Sequence, residues 1–449
     1  MKSHSIHVCR ECGTTSPRWA GRCAGCGEWN TLVEERVASN ARTPPPVAAA
    51  SLHELNELND DPQAVISTGV RELDRVLGGG VVGGSTTLLF GEPGVGKSTL
   101  ALMALRTLAA SGTTVLLVAA EESASQVAQR ARRLGGVPIG LDVAITTNVT
   151  SAEQLLRERR PTLAVVDSIS AMSDDSLPSV AGSVTQVRHA AVRLCLAAKE
   201  TGTALVLVGH VTKDGELAGP RTLEHLVDTV IRIEGDRQGP LRFLRALKHR
   251  FGATGEVGLL EMVNDGLREL PDDYFALRGV DLSVPGVVFS VTNDGSRSLL
   301  VEMQALVATS SGSPRRVAHQ VSAQRLSLLL AVLEARCGID TSGSDVFAAT
   351  AGGLPAHEPG VDVALALAVA SAAQHFAVPR TVAAVGEVGL AGELRAVSGL
   401  ARRVREAHRL GATGVIVPAQ SECDDAAGAR LYRCRTLAEA IEAARAVTN

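Results

Sequence analysis

Short runs of consecutive apolar residues recur between about residues 55 and 270. The clearest are TTLLFG, TVLLVAA, LAVVDS and ALVLVGH. Uninterrupted apolar runs of this length are typical of parallel strands that are buried on both faces of a sheet. Helix-like stretches lie between them, such as KSTLALMALRTLAASG and SVTQVRHAAVRLCLAAKETG. Strands that alternate with helices in this way predict a doubly wound α/β domain.

The pattern changes on both sides of this block. The first 35 residues hold four of the eight cysteines, and the segment ASNARTPPPVAAAS that follows is rich in proline, alanine and serine. Such a composition is typical of an extended linker. From about residue 285 the segments follow a different, α+β order. The sequence therefore predicts a Cys-rich module over 1–35, a linker over 36–54, an α/β domain over 55–275 and an α+β domain over 285–449.

Composition and charge limit the classes of function. The 449 residues are 45% apolar and 20% charged, which is a globular composition, and the formal net charge is −4. No overall positive field attracts nucleic acid, so any binding to DNA must use local patches. The N-terminus MKSHSIHVCRECG lacks a signal-peptide core, and the longest apolar stretch, at 363–373, is too short to span a bilayer. We expect a cytoplasmic protein without a membrane partner.

The Cys-rich module has the spacing of a zinc site. Cys9, Cys12, Cys23 and Cys26 follow C-x2-C-x10-C-x2-C, and two such knuckles bring four thiolates into the tetrahedron that zinc prefers. A redox pair is the alternative interpretation. With four protein ligands the site is closed, so we expect a structural Zn²⁺ that supplies the folding energy of this small module.

The stretch GEPGVGKST matches the phosphate-binding pattern G-x-x-x-x-G-K-[ST], and it lies between an apolar strand and a helix. In that context backbone N–H groups surround a β-phosphate, the lysine reaches the β- and γ-phosphates, and the serine hydroxyl binds Mg²⁺. The sequence therefore predicts an NTPase. The residues predicted to bind the nucleotide are Gly91, Glu92, Pro93, Gly94, Val95, Gly96, Lys97, Ser98 and Thr99.

Polar residues end three further apolar runs. Asp167 ends LAVVDS and is the expected Walker B ligand of Mg²⁺, although an aspartate there can also be a helix cap. Glu121 and Glu122 follow VLLVAA, and we prefer Glu121 as the group that polarises the attacking water, with exposed N-cap acids as the alternative. His210 ends ALVLVGH, where it is either a γ-phosphate sensor or a structural histidine.

Together these motifs resemble the bacterial RadA/Sms family of DNA repair proteins. The resemblance covers nearly the whole chain and depends on SPRWAGRCAGCGEWNTLVEE, GEPGVGKSTL, GHVTKDGELAGPRTLEHLVDTVIRIEGD and KHRFG. It implies a zinc finger, a RecA-like P-loop ATPase domain and a C-terminal Lon-protease-like domain. It also implies a homo-hexameric ATPase that binds single-stranded DNA, drives branch migration of recombination intermediates and cooperates with the RecA recombinase. The preference for ATP over GTP comes from this resemblance alone.

The KHRFG segment places two cationic residues close together in a chain whose net charge is negative. It occupies the place of the family's Lys-Asn-Arg-Phe-Gly motif, so the resemblance implies that Lys248 and Arg250 reach DNA or the nucleotide of a neighbouring subunit. A cation supplied in this way stabilises charge in the transition state. The sequence departs from the family at His249, which removes any contact made by the asparagine amide. A solvated hairpin tip is the alternative.

A loop from Thr212 to Glu224 follows the fourth apolar run. It contains Lys213 and Arg221 among glycines and a proline, and it resembles the loop that RecA-type proteins direct into a central channel. Two cations per subunit would give a sequence-independent path for a phosphate backbone. The loop lacks aromatic residues, so base stacking is not expected there. An ordinary surface loop is the alternative.

The C-terminal block resembles the Lon protease domain, which uses a Ser–Lys dyad. The serine position falls near Gly360 and the lysine position near Ala401, and the sequence has no lysine after Lys248. We therefore expect an inactive domain that serves as a scaffold for ring assembly. Its basic helix either guides duplex DNA or is a solvated face. The arginines of this helix are Arg402, Arg403, Arg405 and Arg409.

Three functions from different classes follow from these features. The first is a DNA-translocating motor, which the ATPase motifs, basic loops and cysteine module favour. The second is a nucleotide-switched recombination adaptor that does not move DNA. The third is an ATP-dependent protease, which the missing lysine disfavours. Glu121 beside an intact phosphate loop favours nucleotide turnover over a pure switch.

Overall fold

The structure is a computed structural model that describes residues 4–10, 14–37, 64–210, 221–235, 239–270, 284–422 and 428–448. The chain divides into two compact units, Met1–Glu269 and Leu270–Asn449. Cys12, Lys213 and most of the predicted linker lie outside the described residues, as does the side chain of Arg221. The domain boundaries given above stay predictions.

The N-terminal module is a small antiparallel sheet. Its strands are β1 (His4–Cys9), β2 (Thr15–Ser16) and β3 (Leu32–Val37), and β1 lies between the other two. Its buried apolar cluster consists of Cys9, Cys23 and Leu32. Two of these three side chains are cysteines, so the module's packing depends on what the thiols bind.

The first unit also contains a nine-stranded sheet. Its strands and the short pair beside it are β4 (Val65–Ile66), β5 (Val81–Val82), β6 (Thr86–Gly91), β7 (Val115–Ala119), β8 (Leu141–Ile145), β9 (Leu163–Asp167), β10 (Ala204–His210), β11 (Thr229–Glu234), β12 (Leu241–His249), β13 (Val257–Val263) and β14 (Gly266–Glu269). The α-helices are α1 (Arg71–Val76), α2 (Lys97–Ala110), α3 (Ala124–Arg133), α4 (Val149–Arg159), α5 (Val184–Thr201) and α6 (Arg221–Glu224). The order in the sheet is β14-β13-β12-β11-β6-β10-β9-β7-β8.

The six strands from β11 to β8 in this order are parallel, and β12, β13 and β14 extend the sheet with antiparallel pairings. Strand β6 is buried along its whole length. Its Leu89 packs in one apolar cluster with α2 and α3, whereas Leu88 and Phe90 pack in another with α4 and α5. Helices therefore cover both faces of the sheet, as the continuous apolar runs predicted.

Parallel pairing decides where the polar strand ends lie. Gly91, Asp167 and His210 end β6, β9 and β10, and Glu121 follows β7 by two residues. These strands run in the same direction and are adjacent, so their carboxyl ends form one edge of the sheet. Ligands of open α/β sheets bind at this edge.

The second unit is built on a mixed seven-stranded sheet with the order β17-β18-β16-β15-β19-β22-β23. The strands of this sheet are β15 (Val287–Asp294), β16 (Arg297–Thr309), β17 (Arg316–His319), β18 (Ser344–Thr350), β19 (Val382–Ala384), β22 (Gly414–Pro418) and β23 (Arg430–Cys434). The short strands β20 (Glu387–Val388) and β21 (Leu394–Arg395) form a separate antiparallel pair. The helices are α7 (Ala323–Cys337), α8 (Asp362–Gln374), α9 (Leu400–Arg409) and α10 (Leu437–Thr448). The apolar stretch at 363–373 forms most of α8 and is buried.

The basic helix predicted in this unit is α9, but one of its arginines does not face solvent. Arg403 is 0% exposed, and its guanidinium donates to the backbone oxygens of Val291 (2.7 Å) and Ser398 (3.1 Å) and to both carboxylate oxygens of Glu358. A Cβ atom on Gly360 would lie 2.6 Å from Arg403 Nη1. The buried guanidinium of Arg403 therefore lies against Gly360, near which the sequence predicts the Lon serine position.

We expect Glu358→Ala to lower the free energy of unfolding of the second unit by about 3–5 kcal/mol. The substitution leaves the buried guanidinium of Arg403 without its carboxylate, and it also removes the acceptor of the Asn293 backbone N–H (2.7 Å). Urea unfolding followed by circular dichroism measures the change. The control is Glu442→Ala, which breaks the exposed pair with Arg445 and should change stability by less than about 0.5 kcal/mol. Equal stability of the two variants would contradict the structural role of Arg403.

Candidate nucleotide site and its surroundings

The phosphate loop joins the end of β6 to the start of α2. Gly94 and Gly96 have positive φ values of 81° and 112°, which a residue with a Cβ adopts only with strain. A Cβ on Gly96 would also lie 3.0 Å from Met262 Cε. These glycines let the backbone turn tightly into the N-terminus of α2, where N–H groups are available to a phosphate.

Lys97 lies inside this loop. Its side chain is buried, and Nζ donates to the backbone oxygens of Gly91 and Glu92, both at 2.9 Å. Burial lowers the pKa of Lys97, while the negative charges of Asp167 and Glu121 oppose that shift. The ammonium is thus bound by the backbone of the loop, in the field of the two carboxylates, at the position where it could contact the phosphates of a nucleotide.

Ser98 and Asp167, the two predicted Mg²⁺ ligands, are in contact. Burial raises the pKa of Asp167, and a hydrogen bond with the Ser98 side chain opposes the rise. Hydroxyl and carboxylate oxygens are the hard donors that Mg²⁺ takes from proteins, together with water and phosphate. The Ser98–Asp167 pair therefore fits Mg²⁺. When bound there, the ion would neutralise charge on the β- and γ-phosphates.

Glu121 is held by two neighbouring strand ends. The hydroxyl of Ser168 donates to Glu121 Oε1, and His210 Nε2 lies 3.4 Å from Glu121 Oε2. These contacts, led by the one with His210, lower the pKa of Glu121 to about 2 although burial opposes them. The carboxylate is consequently ionised at neutral pH and has a fixed orientation beside Asp167.

In the structure the carboxylates of Glu121 and Glu122 have different partners. Glu122 forms an ion pair with Arg130 of α3 and does not share the contacts of Glu121 with Ser168 and His210. Sequence reasoning missed Ser168, which is fully buried and also lies 2.7 Å from Ser170 through their hydroxyls. Its position directly after Asp167, at the end of the same strand, was the available signal.

Lys248 and Arg250 lie at the opposite edge of the sheet. Strand β12 is antiparallel to β11, and its end pairs His249 with Thr229, which in turn pairs with Thr87 of β6. Thr87 precedes Gly91 by four residues, which is about 13 Å along a strand. The two cations therefore do not join the nucleotide-binding groups of their own chain.

Both cations have partners at this edge. Lys248 Nζ donates to the backbone oxygens of Glu224 (2.8 Å) and Val227 (2.6 Å). Arg250 is 69% exposed, and Nη1 donates to Asp228 Oδ1 at 3.0 Å. The arginine points outward while the lysine is bound to the segment that ends α6. Strands β12 and β13 do form a hairpin here, as the alternative interpretation proposed.

His249, the residue that departs from the family motif, has structural contacts. Its Nδ1 lies 3.0 Å from Thr229 Oγ1, and a Cβ on either Gly78 or Gly252 would lie within 3.2 Å of the ring. Burial lowers the pKa of His249, so the ring is neutral at neutral pH. A neutral ring wedged between two glycines adds no charge to the cations on either side.

The described cysteines fit a zinc site. The sulfurs of Cys9, Cys23 and Cys26 lie within 4.8 Å of one another, and the sulfurs of Cys9 and Cys26 are 3.6 Å apart. Zn–S bonds of about 2.3 Å in a tetrahedron place two sulfurs about 3.8 Å apart. The Gly25 backbone N–H also lies 3.3 Å from Cys23 Sγ, as expected around a thiolate ligand. These residues would hold Zn²⁺, with Cys12 outside the described residues.

Family models match three segments of the chain. The KaiC ATPase model matches residues 66–137, the LapB zinc ribbon described as a rubredoxin metal binding domain matches 7–34, and the Lon protease (S16) C-terminal proteolytic domain matches 341–427. These matches confirm the predicted order of zinc ribbon, RecA-like ATPase domain and Lon-like domain. With the phosphate loop they identify an ATP-hydrolysing enzyme. Among the helices of the described residues, none is both long and apolar enough to cross a bilayer.

Several curated relatives are similar over almost the whole chain. The DNA repair protein RadA of Pseudomonas aeruginosa is 44% identical, and the match covers 98% of this chain and 99% of the relative. The RadA proteins of Mycolicibacterium smegmatis and Bacillus subtilis are 43% and 41% identical, each over 93% of this chain and 92% and 93% of the relatives. At this identity and coverage the chain belongs to the RadA family of DNA repair proteins.

Proposed function

We propose that this chain is a DNA-dependent ATPase of DNA repair and homologous recombination that binds single-stranded DNA and drives branch migration as a ring-shaped homo-hexamer, in cooperation with the RecA recombinase. One observation carries the proposal. The groups for ATP lie at one edge of the sheet, whereas the exposed Arg250 and the neighbouring Lys248 lie at the other. An arrangement of this kind lets one subunit complete the site of the next.

The edge of the sheet that carries Lys248 and Arg250, here called the cation edge, is fixed by hydrogen bonds. Asp228 accepts from Arg250 and also from the backbone N–H (3.0 Å) and hydroxyl (2.9 Å) of Thr86, at the start of β6. These hydrogen bonds lower the pKa of Asp228 although burial opposes them, so the carboxylate remains charged. A head-to-tail contact between such an edge and the nucleotide edge of another copy repeats around a closed ring.

The segment with the predicted DNA-binding residues Lys213 and Arg221 lies between these two edges along the chain. It follows His210, which contacts Glu121, and it ends at Glu224, whose backbone oxygen accepts from Lys248. One end is thus tied to the group proposed to polarise water, and the other end is tied to a cation proposed to serve the neighbouring subunit. This connection supports coupling between hydrolysis and DNA contact.

The second unit is proposed as a scaffold for the ring. The dyad positions fall near Gly360 and Ala401, neither of which can act as a nucleophile or base, and the Arg403–Glu358 pair occupies the space beside Gly360. This arrangement supports assembly over proteolysis.

The experiment is ATP hydrolysis by the purified full-length protein with and without single-stranded DNA. We expect DNA to raise kcat, because in the proposed motor the binding of DNA is transmitted to the residues that bind ATP. A rate that ignores DNA, together with nucleotide-dependent binding of recombination proteins, would favour the adaptor. Degradation of casein in the presence of ATP would favour the protease.

A further inference from the structure

The zinc ribbon carries an unusual surface. The chain has only two tryptophans, Trp19 and Trp29, and both are on this module with 58% and 68% of their surface exposed. Exposed indoles are costly in water, since each presents a large apolar area. Neither ring is needed for the apolar cluster of the module, which consists of other residues. A role outside the packing of the ribbon is therefore indicated.

The two rings are close together and firmly placed. A Cβ on Gly21 would lie 3.6 Å from Trp29 Cζ3 and 3.9 Å from Trp19 Cη2, so both indoles flank the same glycine. The Gly21 backbone oxygen accepts from the Asn30 N–H at 2.7 Å, and Arg22 pairs with Trp29 through an antiparallel bridge. These bonds fix the chain segments from which the rings project, so little conformational entropy is lost when a ligand binds.

Arginines accompany the indoles. The guanidinium carbon of Arg22 lies 6.0 Å from the centre of the Trp29 ring, and Arg18 is exposed directly before Trp19. Residues 14–31 contain these two arginines and one acidic residue, Glu28. Two cationic side chains therefore accompany the indoles, on a chain whose net charge is negative.

We propose that Trp19 and Trp29, with Arg18 and Arg22, form a stacking surface for the unpaired bases of single-stranded DNA. Aromatic rings stack on bases of any sequence, and neighbouring arginines contact the phosphate backbone. A protein partner is less well matched, because a protein interface surrounds its aromatic anchors with further apolar contacts. Over residues 14–31 the two indoles are the only large apolar side chains.

This surface supplies what the proposed channel loop lacks, since that loop has no aromatic residue. The inference rests on the proposed function in one respect, namely that single-stranded DNA is the ligand. The two are separable by experiment because the chain has no other tryptophan. Indole fluorescence of the full-length protein therefore reports on the ribbon alone.

The test is a titration of the full-length protein with oligothymidylate, in which indole fluorescence and the anisotropy of labelled DNA are followed together. We expect the fluorescence to be quenched over the same concentrations at which the DNA binds. Trp19→Ala and Trp29→Ala should each weaken binding about tenfold, whereas Trp19→Phe and Trp29→Phe should retain most of the affinity. An abasic strand of equal length should bind wild type and the alanine variants alike, since it offers phosphates without bases.

Zinc content, measured for every variant, shows that the ribbon remains folded. DNA binding without quenching, and without any effect of the alanine variants, would overturn the inference while leaving the proposed function intact. Absence of DNA binding by both signals would overturn both. A fluorescence change that follows protein concentration in the absence of DNA would assign the indoles to contact with a second copy of the chain and would also overturn the inference.

Discussion

Replacing Glu121 by glutamine is expected to lower kcat for ATP hydrolysis by about 10²- to 10⁴-fold, the range associated with loss of a positioned general base. The amide keeps the size of the side chain but cannot accept a proton from water. The phosphate loop and the Ser98–Asp167 pair are unchanged by the substitution. Nucleotide affinity, measured by equilibrium binding of a fluorescent ATP analogue, should therefore stay close to that of wild type.

Glu122→Gln is the matched control. Glu122 is the next residue in the chain, but its carboxylate pairs with Arg130 instead of Ser168 and His210. We expect this variant to hydrolyse ATP within a few-fold of wild type. If Glu122→Gln lost the activity and Glu121→Gln kept it, the assignment of the two carboxylates would have to be reversed.

Lys248→Ala and Arg250→Ala are each expected to lower DNA-stimulated hydrolysis by up to about 10³- to 10⁵-fold, as loss of a cation at a transferring phosphoryl group does. Both residues lie one strand length from the phosphate loop of their own chain. We therefore expect the effect to arise in the site of another subunit of the proposed ring. Arg268→Ala, which removes an exposed arginine that pairs with Glu261, is the control and should leave hydrolysis near wild type.

Mixing two inactive variants tests the shared site directly. Lys97→Ala keeps the cation edge and Lys248→Ala keeps the phosphate loop, so a mixed ring contains some intact junctions. Random assembly of equal amounts gives about one intact site in four. Recovered ATP hydrolysis after mixing would support sites shared between subunits. If neither Lys248→Ala nor Arg250→Ala could be rescued in this way, the loss would be a folding defect of the β12 edge.

Much of the nucleotide site could be predicted because its signals are local. The phosphate loop is one continuous segment, and Asp167 and His210 end apolar runs whose parallel pairing places them at one edge. The position of Lys248 and Arg250 could not be predicted in the same way. It depends on the antiparallel pairing of β12 with β11, which includes a register shift between Val230 and Ile231 that no local pattern encodes.

The burial of Arg403 in α9 could be predicted from the spacing of the apolar residues of that helix. Leu400, Val404 and Ala407 form the apolar stripe of this helix, and position 403 belongs to the same face. The pattern thus contained a sign that Arg403 faces the interior. Its partner Glu358 lies 45 residues earlier in the chain, and only the fold brings the two together.

The close approach of Arg403 to Gly360 couples two positions of the Lon-like domain that lie 43 residues apart in the chain. A serine introduced at 360 would place its Cβ 2.6 Å from the guanidinium, so Gly360→Ser alone does not rebuild a protease nucleophile. Removing Arg403 first would leave Glu358 without its buried partner. Position 360 and the Arg403–Glu358 pair are therefore coupled, because any residue larger than glycine at 360 requires the guanidinium to move.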